Sequence, residues 1–379
     1  MACLLLYVLC LFLSPVFSQP TQELIDEFSD LYAELEQPLA GKERIYHVAI
    51  DQVIWDFVPD HWDYIQDTAL ETSSSKEWTV SCKSSTAVGS RYYKAQYREY
   101  TDDSYTELSH IPSWQGGMGP ILRGEVGDTL VVHVWNRAQH NFSMHPHGVF
   151  YEFEMEGAVY KNTDSKAFIA PGQRYTYRWT LHPRAGPGPT DGASLVWGYH
   201  SHVHESDIYA GLYGAILVYR QGHLSDSVRQ SQRQEIVTTV FASDENASPF
   251  LEQTLDDLAP QLDHQALQHM TGDPTPFFLS NIKQMINGRM LYEPRMLTFH
   301  QGEPVDWHIL AWGSFIDLLE ISWESGQVLY NDQQVGHLTL FPASFRTVTF
   351  TPDQPGYFTF GALNQPAAQQ GMVWRCQVL

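Results

Sequence analysis

Cysteine is scarce in this chain of 379 residues, which contains only four. Cys3 and Cys10 fall in an apolar N-terminal run, so the rest of the chain keeps Cys82 and Cys376. This scarcity excludes a framework of several disulfides, so the fold must depend on its hydrophobic cores. Whether Cys82 pairs with Cys376 stays open, because sequence spacing does not give their separation in space.

Positive charge is also scarce, with 22 Lys and Arg against 44 Asp and Glu and a formal net charge of −22. Such a surface repels phosphate backbones and anionic lipids. We therefore expect no nucleic-acid partner, whereas metal ions and other cations suit this charge. Hydrophobic residues make up 43% of the chain, enough for one large domain or two to three ordinary ones.

Long apolar runs are missing beyond the N-terminus. Residues 4–17 are apolar but short for a bilayer span, and Ser18 provides the small residue that a signal peptidase needs before Gln19. This predicts a signal peptide over residues 1–18 and a secreted, extracellular protein without stable membrane insertion. A membrane anchor is the alternative, since no Lys or Arg precedes the run, but no stop-transfer pattern follows it.

Residues 19–42 are predicted to form an amphipathic N-terminal arm. Apolar side chains recur there at helical spacing with acidic residues between them. Packing against its own domain is the expected role, and partner binding is the alternative. Two glycosylation sequons follow in the chain. The one at Asn246 predicts a glycoprotein, whereas the one at Asn141 lies beside a candidate site and is expected to be buried.

Strand patterns dominate the chain from residue 45 onward. Short segments rich in β-branched and aromatic residues alternate with period two and are separated by Pro, Gly and Asp clusters, which is typical of antiparallel sandwiches or barrels. Residues 251–281 interrupt the pattern and are interpreted as a long excursion or a short helical insert. The predicted strands cover residues 46–55, 129–135, 175–181, 214–219, 235–241, 296–299, 305–310 and 345–350.

The two halves of the chain resemble an internal repeat. Gly127 precedes His133 by six residues, and Gly302 precedes His308 by the same interval. Duplication of one β-sandwich is the simplest account. Because His133 and His308 recur at equivalent places, a structural role is predicted for both. A further matching pair of segments is residues 170–177 and 341–348.

Four histidines form the candidate metal site. His145 and His147 are two residues apart, so in an extended segment both side chains lie on one face, and His200 and His202 repeat this spacing. Two such pairs on neighbouring strands can place four imidazoles around one metal centre, and imidazole suits Zn, Cu, Fe and Ni. His204 continues the alternation and is either a further ligand or a solvent-facing residue.

The second half provides an internal control on these histidines. Its segment corresponding to His200 and His202 falls at residues 357–364, which contain no histidine. If paired histidines merely filled the core of this fold, both copies should carry them. Their presence in the first copy alone indicates chemistry there.

The two histidine motifs resemble the first two copper motifs of multicopper oxidases. These motifs are Met144-His-Pro-His-Gly148 and Tyr199-His-Ser-His202. Four further segments resemble one branch of the family, which contains ceruloplasmin, hephaestin and the A domains of coagulation factors V and VIII. The resemblance implies an all-β protein of two tandem cupredoxin-like Greek-key β-sandwich domains, at residues 43–221 and 222–379. The four segments are residues 93–102, 119–128, 210–214 and 244–246.

Copper is the cofactor that the resemblance implies. His145, His147, His200 and His202 would be half of a trinuclear ligand set, one member of each pair serving the type 2 copper and the other a type 3 copper. The His-Cys-His motif of the other half is absent from the whole chain. In the second domain the positions of type 1 ligands fall on apolar residues, namely Leu319, Ala362, Ala367 and Met372, of which only Met372 matches the family.

Two functions remain open on the sequence. The first is a secreted copper-binding protein of the ferroxidase and oxidase lineage, which acts only with another cupredoxin-containing chain that supplies the missing ligands. The second is a non-enzymatic extracellular cupredoxin pair, a binding, matrix or coagulation-type module with structural copper or none.

Overall fold

The computed structural model describes residues 40–80, 87–160, 167–224, 233–260, 262, 275–293, 297–313 and 318–379. The predicted signal peptide, nearly all of the predicted arm and Cys82 lie outside these residues. Cys376 is buried, and burial raises the pKa of its thiol. Among the described residues, no helix has both the length and the apolar character that a membrane span needs.

Two four-stranded sheets form the first half of the molecule, with strand orders β4-β1-β6-β8 and β5-β10-β9-β7. The small hairpin β2-β3 lies beside them. The strands are β1 (Glu43–Asp56), β2 (Trp62–Asp63), β3 (Thr68–Ala69), β4 (Arg91–Tyr100), β5 (Ile121–Glu125), β6 (Thr129–Asn136), β7 (His145–Pro146), β8 (Arg174–Thr180), β9 (Ser194–His200) and β10 (Tyr213–Tyr219).

The second half repeats this plan with two larger sheets, ordered β12-β11-β14-β19-β16-β17 and β13-β21-β20-β15-β18. Its strands are β11 (Gln234–Asp244), β12 (Ile282–Ile286), β13 (Thr298–Phe299), β14 (Val305–Ala311), β15 (Leu319–Trp323), β16 (Gln327–Tyr330), β17 (Gln333–Gln334), β18 (His337–Leu340), β19 (Ser344–Thr351), β20 (Gly356–Gly361) and β21 (Val373–Val378). The all-β class predicted from the alternating pattern is confirmed.

Helices in the described residues are short and lie in the connections between strands. Two of them fall within the interrupting segment at 251–281, so the predicted helical insert is present there. The α-helices are Lys76–Thr79, Asp207–Ala210, Leu251–Leu258, Pro276–Ser280 and Pro366–Gln369, and the 3-10 helices are Leu70–Thr72, Ser113–Gln115, Phe153–Met155, Pro183–Ala185 and Glu245–Ala247.

Strand pairing makes the repeat visible in three dimensions. β1 is antiparallel to β4 and parallel to β6, as β11 is antiparallel to β12 and parallel to β14. His133 pairs with Thr176, and their Nδ1 and Oγ1 atoms are 2.8 Å apart; His308 and Thr347 repeat the contact at 2.9 Å. These matching hydrogen bonds support the structural role predicted for both histidines.

A shared hydrophobic cluster joins the two halves. It contains Tyr213 and Leu217 of β10 together with Phe241 of β11 and Leu310 of β14. Strand β9 also contacts β14 and β19 of the second half. The second half therefore packs directly against the strand that carries the second histidine motif.

The two sequons have different surroundings. Asn141 is exposed, so the expectation that it is buried is wrong, because it lies in the turn that precedes β7 rather than in the sheet. Asn246 is half-buried, and its amide nitrogen donates to Asp244 Oδ1 at 2.8 Å and to the Phe278 carbonyl at 3.0 Å. Glycosylation at Asn246 stays a prediction.

Candidate metal centre

Strand pairing brings the two histidine motifs together. β7 is antiparallel to β9, with His145 opposite His200, and the peptide N–H of His147 donates to the Gly198 carbonyl at 2.8 Å. Side chains two residues apart on a strand share a face. The four predicted histidines therefore converge on one face of the sheet.

The imidazole rings lie within contact distance of one another. The ring centroids of His147 and His200 are 5.2 Å apart and nearly parallel, with 20° between the ring planes. His145 is edge-on to its three neighbours, with centroids 5.2 Å from His147, 5.6 Å from His200 and 5.0 Å from His202. His202 is also 5.3 Å from His200.

Hydrogen bonds to carbonyl groups orient two of the rings. His145 Nδ1 is 2.7 Å from the Glu156 carbonyl oxygen, and His200 Nδ1 is 2.8 Å from the Ser201 carbonyl oxygen. A carbonyl only accepts, so each Nδ1 carries the proton and each Nε2 keeps its lone pair. His147 Nε2 is buried and has no hydrogen-bond partner in the described part of the chain.

Burial keeps these imidazoles neutral. It lowers the pKa of His147 to about 4, with further lowering by the neighbouring His145 and His202. Burial also places the pKa of His200 well below its ordinary value and lowers the pKa of His145. Neutral imidazole is the metal-binding form, so at neutral pH no proton has to be displaced before an ion binds.

Buried polar groups behind the histidines fix the backbone of both motifs. Ser201 Oγ donates to Asp207 Oδ2 at 2.6 Å and accepts from the Ser143 N–H at 3.1 Å. In return the His202 N–H donates to Ser143 Oγ at 2.9 Å. Asp207 Oδ2 also accepts from the backbone N–H of His204 at 3.1 Å. These contacts hold the two motifs in register.

Sequence reasoning missed Ser143, Ser201 and Asp207. A signal exists for Ser201, which lies between the two histidines of the second pair. Ser143 carries none, because alternation would place it on the same face as His145. Alternation places Ser201 on the opposite face, behind the imidazoles, where a small polar side chain can brace the strand. Asp207 carries no such signal, because its role depends on the turn that returns it to Ser201.

Two aromatic side chains of the second half cover one side of the centre. Trp312 has its ring centroid 5.2 Å from His200 and 5.7 Å from His147, and Phe345 lies 5.5 Å from His147. The approach requires glycine at position 198, because a Cβ there would lie 2.4 Å from the Trp312 ring. Sequence reasoning missed both aromatics, since contacts across halves leave no local pattern.

A cavity of about 580 Å³ adjoins the centre between the two halves. Three of the histidines line it, together with His204 and the acidic residues Glu205 and Asp244, while its other walls are mostly apolar. His204 is exposed and lies in the bend that follows β9. The three histidines at the cavity are His147, His200 and His202.

The donor set fits copper. One ring nitrogen from each of His145, His147 and His200 lies within 4.8 Å of the other two. Neutral nitrogen donors with a carbonyl fixing the far nitrogen are the usual surroundings of a bound transition metal. The orphaned Nε2 of His147 is the observation that a bound ion explains best, because an unpaired buried nitrogen costs free energy.

Strand register defines which positions of the second half are equivalent to the four histidines. Strands β20 and β15 take the places of β9 and β7, with Gly361 opposite Ser322 as His200 is opposite His145. The four equivalents are Ser322, Glu324, Gly361 and Leu363, none of them histidine.

The positions expected of type 1 ligands in the second half form part of an apolar core. Leu319, Ala362 and Met372 are buried in one hydrophobic cluster, and Ala367 packs against it. The N–H of Ala362 donates to the Met372 carbonyl at 3.1 Å, and the N–H of Met372 donates to the Ala367 carbonyl at 2.9 Å. These residues are neighbours, but they offer no imidazole or thiolate.

Paired β-sandwiches with a histidine cluster on one sheet define a protein of the cupredoxin class. Residues 94–223 match the family model described as multicopper oxidase. Over 89% of the chain, the fold superposes on 88% of a solved multicopper oxidase, with a TM-score of 0.53 and 15% identity. The chain therefore contains a domain of the multicopper oxidase family, whose members bind copper.

Two curated relatives are similar to most of this chain. It is 33% identical over 347 residues to ferroxidase HEPHL1 of Mus musculus, covering 88% of this chain and 29% of that protein. It is 33% identical over 339 residues to hephaestin of the same species, again covering 88% of this chain and 29% of the relative. The resemblance stated from the motifs is confirmed, and the chain spans under a third of the length of these relatives.

Proposed function

We propose that the protein is a secreted copper-binding member of the ferroxidase and oxidase lineage. Its copper ligands are His145, His147, His200 and His202, which form half of a trinuclear ligand set. The strongest support for copper binding is the convergence of these four rings in the first half. The second half has no histidine at the four equivalent positions. The apolar run at residues 4–17 supports secretion.

Copper bound there supplies one-electron redox chemistry. The chain's own residues bind, orient and shield it. Hydrogen bonds to the Glu156 and Ser201 carbonyls aim the lone pairs of His145 and His200. Trp312 and Phe345 pack against the ring of His147 and cover one side of it.

The remaining ligands come from a partner in this proposal. The second half offers apolar side chains where a type 1 centre would lie, and the His-Cys-His motif is absent from the sequence. Trp312 and Phe345 already occupy the side of the centre next to His147. Another cupredoxin-containing chain therefore approaches from the side of His202, which is exposed.

Copper analysis of the purified protein tests this proposal. The wild type is expected to retain copper after dialysis, and a His145→Ala/His200→Ala variant is expected to lose it. The matched control is His204→Ala, an exposed histidine beside the site. Equal copper in wild type and double variant, or none in the wild type, would contradict the proposal.

Oxygen consumption by the same preparation tests the need for a partner. With Fe(II) as donor, the isolated chain is expected to show no sustained turnover, because it lacks a type 1 centre to collect electrons. Sustained turnover by a preparation whose native mass shows no second protein would contradict the partner requirement and leave copper binding intact.

A further inference from the structure

The four histidines are not equivalent in the structure. One ring nitrogen from each of His145, His147 and His200 lies within 4.8 Å of the other two, and these three histidines form a group. His202 is outside the group, although its ring lies beside those of His145 and His200. Three nitrogens bound to one ion at about 2.0–2.1 Å lie about 3.5 Å apart in a trigonal arrangement, so the group needs to tighten by at most about 1.3 Å to hold a single ion.

The three histidines of this group are also more buried than His202. His145, His147 and His200 are partly buried, whereas His202 is exposed at the rim of the cavity. Two of the three have a ring nitrogen fixed by a carbonyl, and the third has a buried nitrogen without a partner among the described residues. A preorganised, partly desolvated ligand loses less entropy on binding than an exposed one.

Aromatic side chains of the second half cover one side of the group, and the cavity lies on another. Trp312 contacts the rings of both His147 and His200, and Phe345 contacts His147. Gly198 lets Trp312 approach so closely that a Cβ there would overlap the indole. The two aromatic rings offer no ligand for a second ion on their side of the group.

We propose that the isolated chain binds one copper ion through three nitrogens, from His145, His147 and His200, and that His202 contributes little until a partner arrives. This inference rests on the proposed function and goes beyond it. In the proposed function all four histidines are copper ligands, with the two pairs equivalent to each other. The three-to-one division follows from the nitrogen spacing, the burial and the aromatic wall.

The test is a titration of metal-free protein with Cu(II) against a competing chelator. We expect one tightly bound equivalent in the wild type. His147→Ala and His200→Ala should each weaken binding by at least about 100-fold, because a ligand matters more than the outer contacts that cost 10–100-fold. His202→Ala should weaken it by less than about 5-fold, as expected for an exposed, non-ligating side chain, close to the His204→Ala control.

Electron paramagnetic resonance of the copper-loaded protein counts the coupled nitrogens directly. Coupling to three nitrogens in the wild type, unchanged in His202→Ala, supports the proposal. Two tight equivalents, four coupled nitrogens, or a loss in His202→Ala equal to that in His200→Ala overturns it while the broader copper-binding proposal stands. Absence of any tight copper in the wild type overturns both.

Discussion

The two halves of the molecule share a framework and differ in chemistry. Both pair a histidine with a threonine across adjacent strands, as His133–Thr176 and His308–Thr347. The copper-motif histidines occur only in the first half, although the second half has the same strands in the same order. Positions that the framework needs recur in both halves, so a feature present in one half alone points to function.

A buried lysine in each half extends this comparison. Strand register places Lys94 of β4 opposite Val53 and Lys283 of β12 opposite Ser243, and these are equivalent positions of the repeat. Lys94 Nζ lies 2.5 Å from Glu245 Oε1. Lys283 Nζ instead donates to three carbonyl groups, those of Trp78, Gly89 and Ser280, at 2.6–2.8 Å.

The largest expected stability difference between the halves lies in their cores. Trp307 of β14 is equivalent to Val132 of β6, and both are fully buried. Trp307 packs against four aromatic rings with centroids 4.5–5.7 Å away. We expect Trp307→Ala to lower the free energy of unfolding by about 3–5 kcal/mol and Val132→Ala by about 2 kcal/mol, measured by denaturant unfolding.

Copper content serves as the control for this pair. Trp307 belongs to a hydrophobic cluster of the second half that includes neither Trp312 nor Phe345, the two residues that contact the histidines. A folded Trp307→Ala variant should therefore retain the wild-type amount of copper. A loss of copper without global unfolding would show that the second-half core supports the metal site and that the division between framework and chemistry is too sharp.

The buried lysines predict a pH dependence of intermediate size. Burial lowers the pKa of Lys283 from 10.5 to about 7. Between these values the unfolded chain binds more protons at this site than the folded chain, so the free energy of unfolding rises with pH, by at most about 1.4 kcal/mol per unit. Lys283→Met should remove this rise in urea unfolding measured from about pH 7 to about pH 9.5.

An exposed lysine provides the matched control for this prediction. Lys76 is solvent-exposed in the described structure, so Lys76→Met should keep the pH dependence of the wild type. If Lys283→Met and the wild type change in parallel with pH, Lys283 does not release its proton in this range.

The strands of the two sandwiches are predictable from sequence because they depend on the local alternation of apolar and polar residues. In β6, alternation of burial is clear from Val132 to Asn136, where His133 and Trp135 are half-buried between buried residues, and it breaks only at Val131, which is buried as well. The four histidines are predictable for the same reason, since their spacing of two needs only an extended chain. Trp312 and Asp207 are not predictable, because each reaches the site through packing or a turn that no local period encodes.

The smallest expected effects come from one backbone position that the halves fill differently. Gly172 and Ala343 precede equivalent strands and have φ of 79° and 58°, in the left-handed region. That region costs a side chain about 1–2 kcal/mol, whereas replacing glycine reduces the entropy of the unfolded chain by about 0.4–1 kcal/mol. A Cβ on Gly172 would meet nothing within 4 Å, so no clash adds to the balance.

Gly172→Ala should destabilise and Ala343→Gly should stabilise, each by about 0.5–1 kcal/mol in denaturant unfolding. Effects of the same sign would mean that the two turns are not equivalent, because equivalent backbones require opposite responses to opposite substitutions.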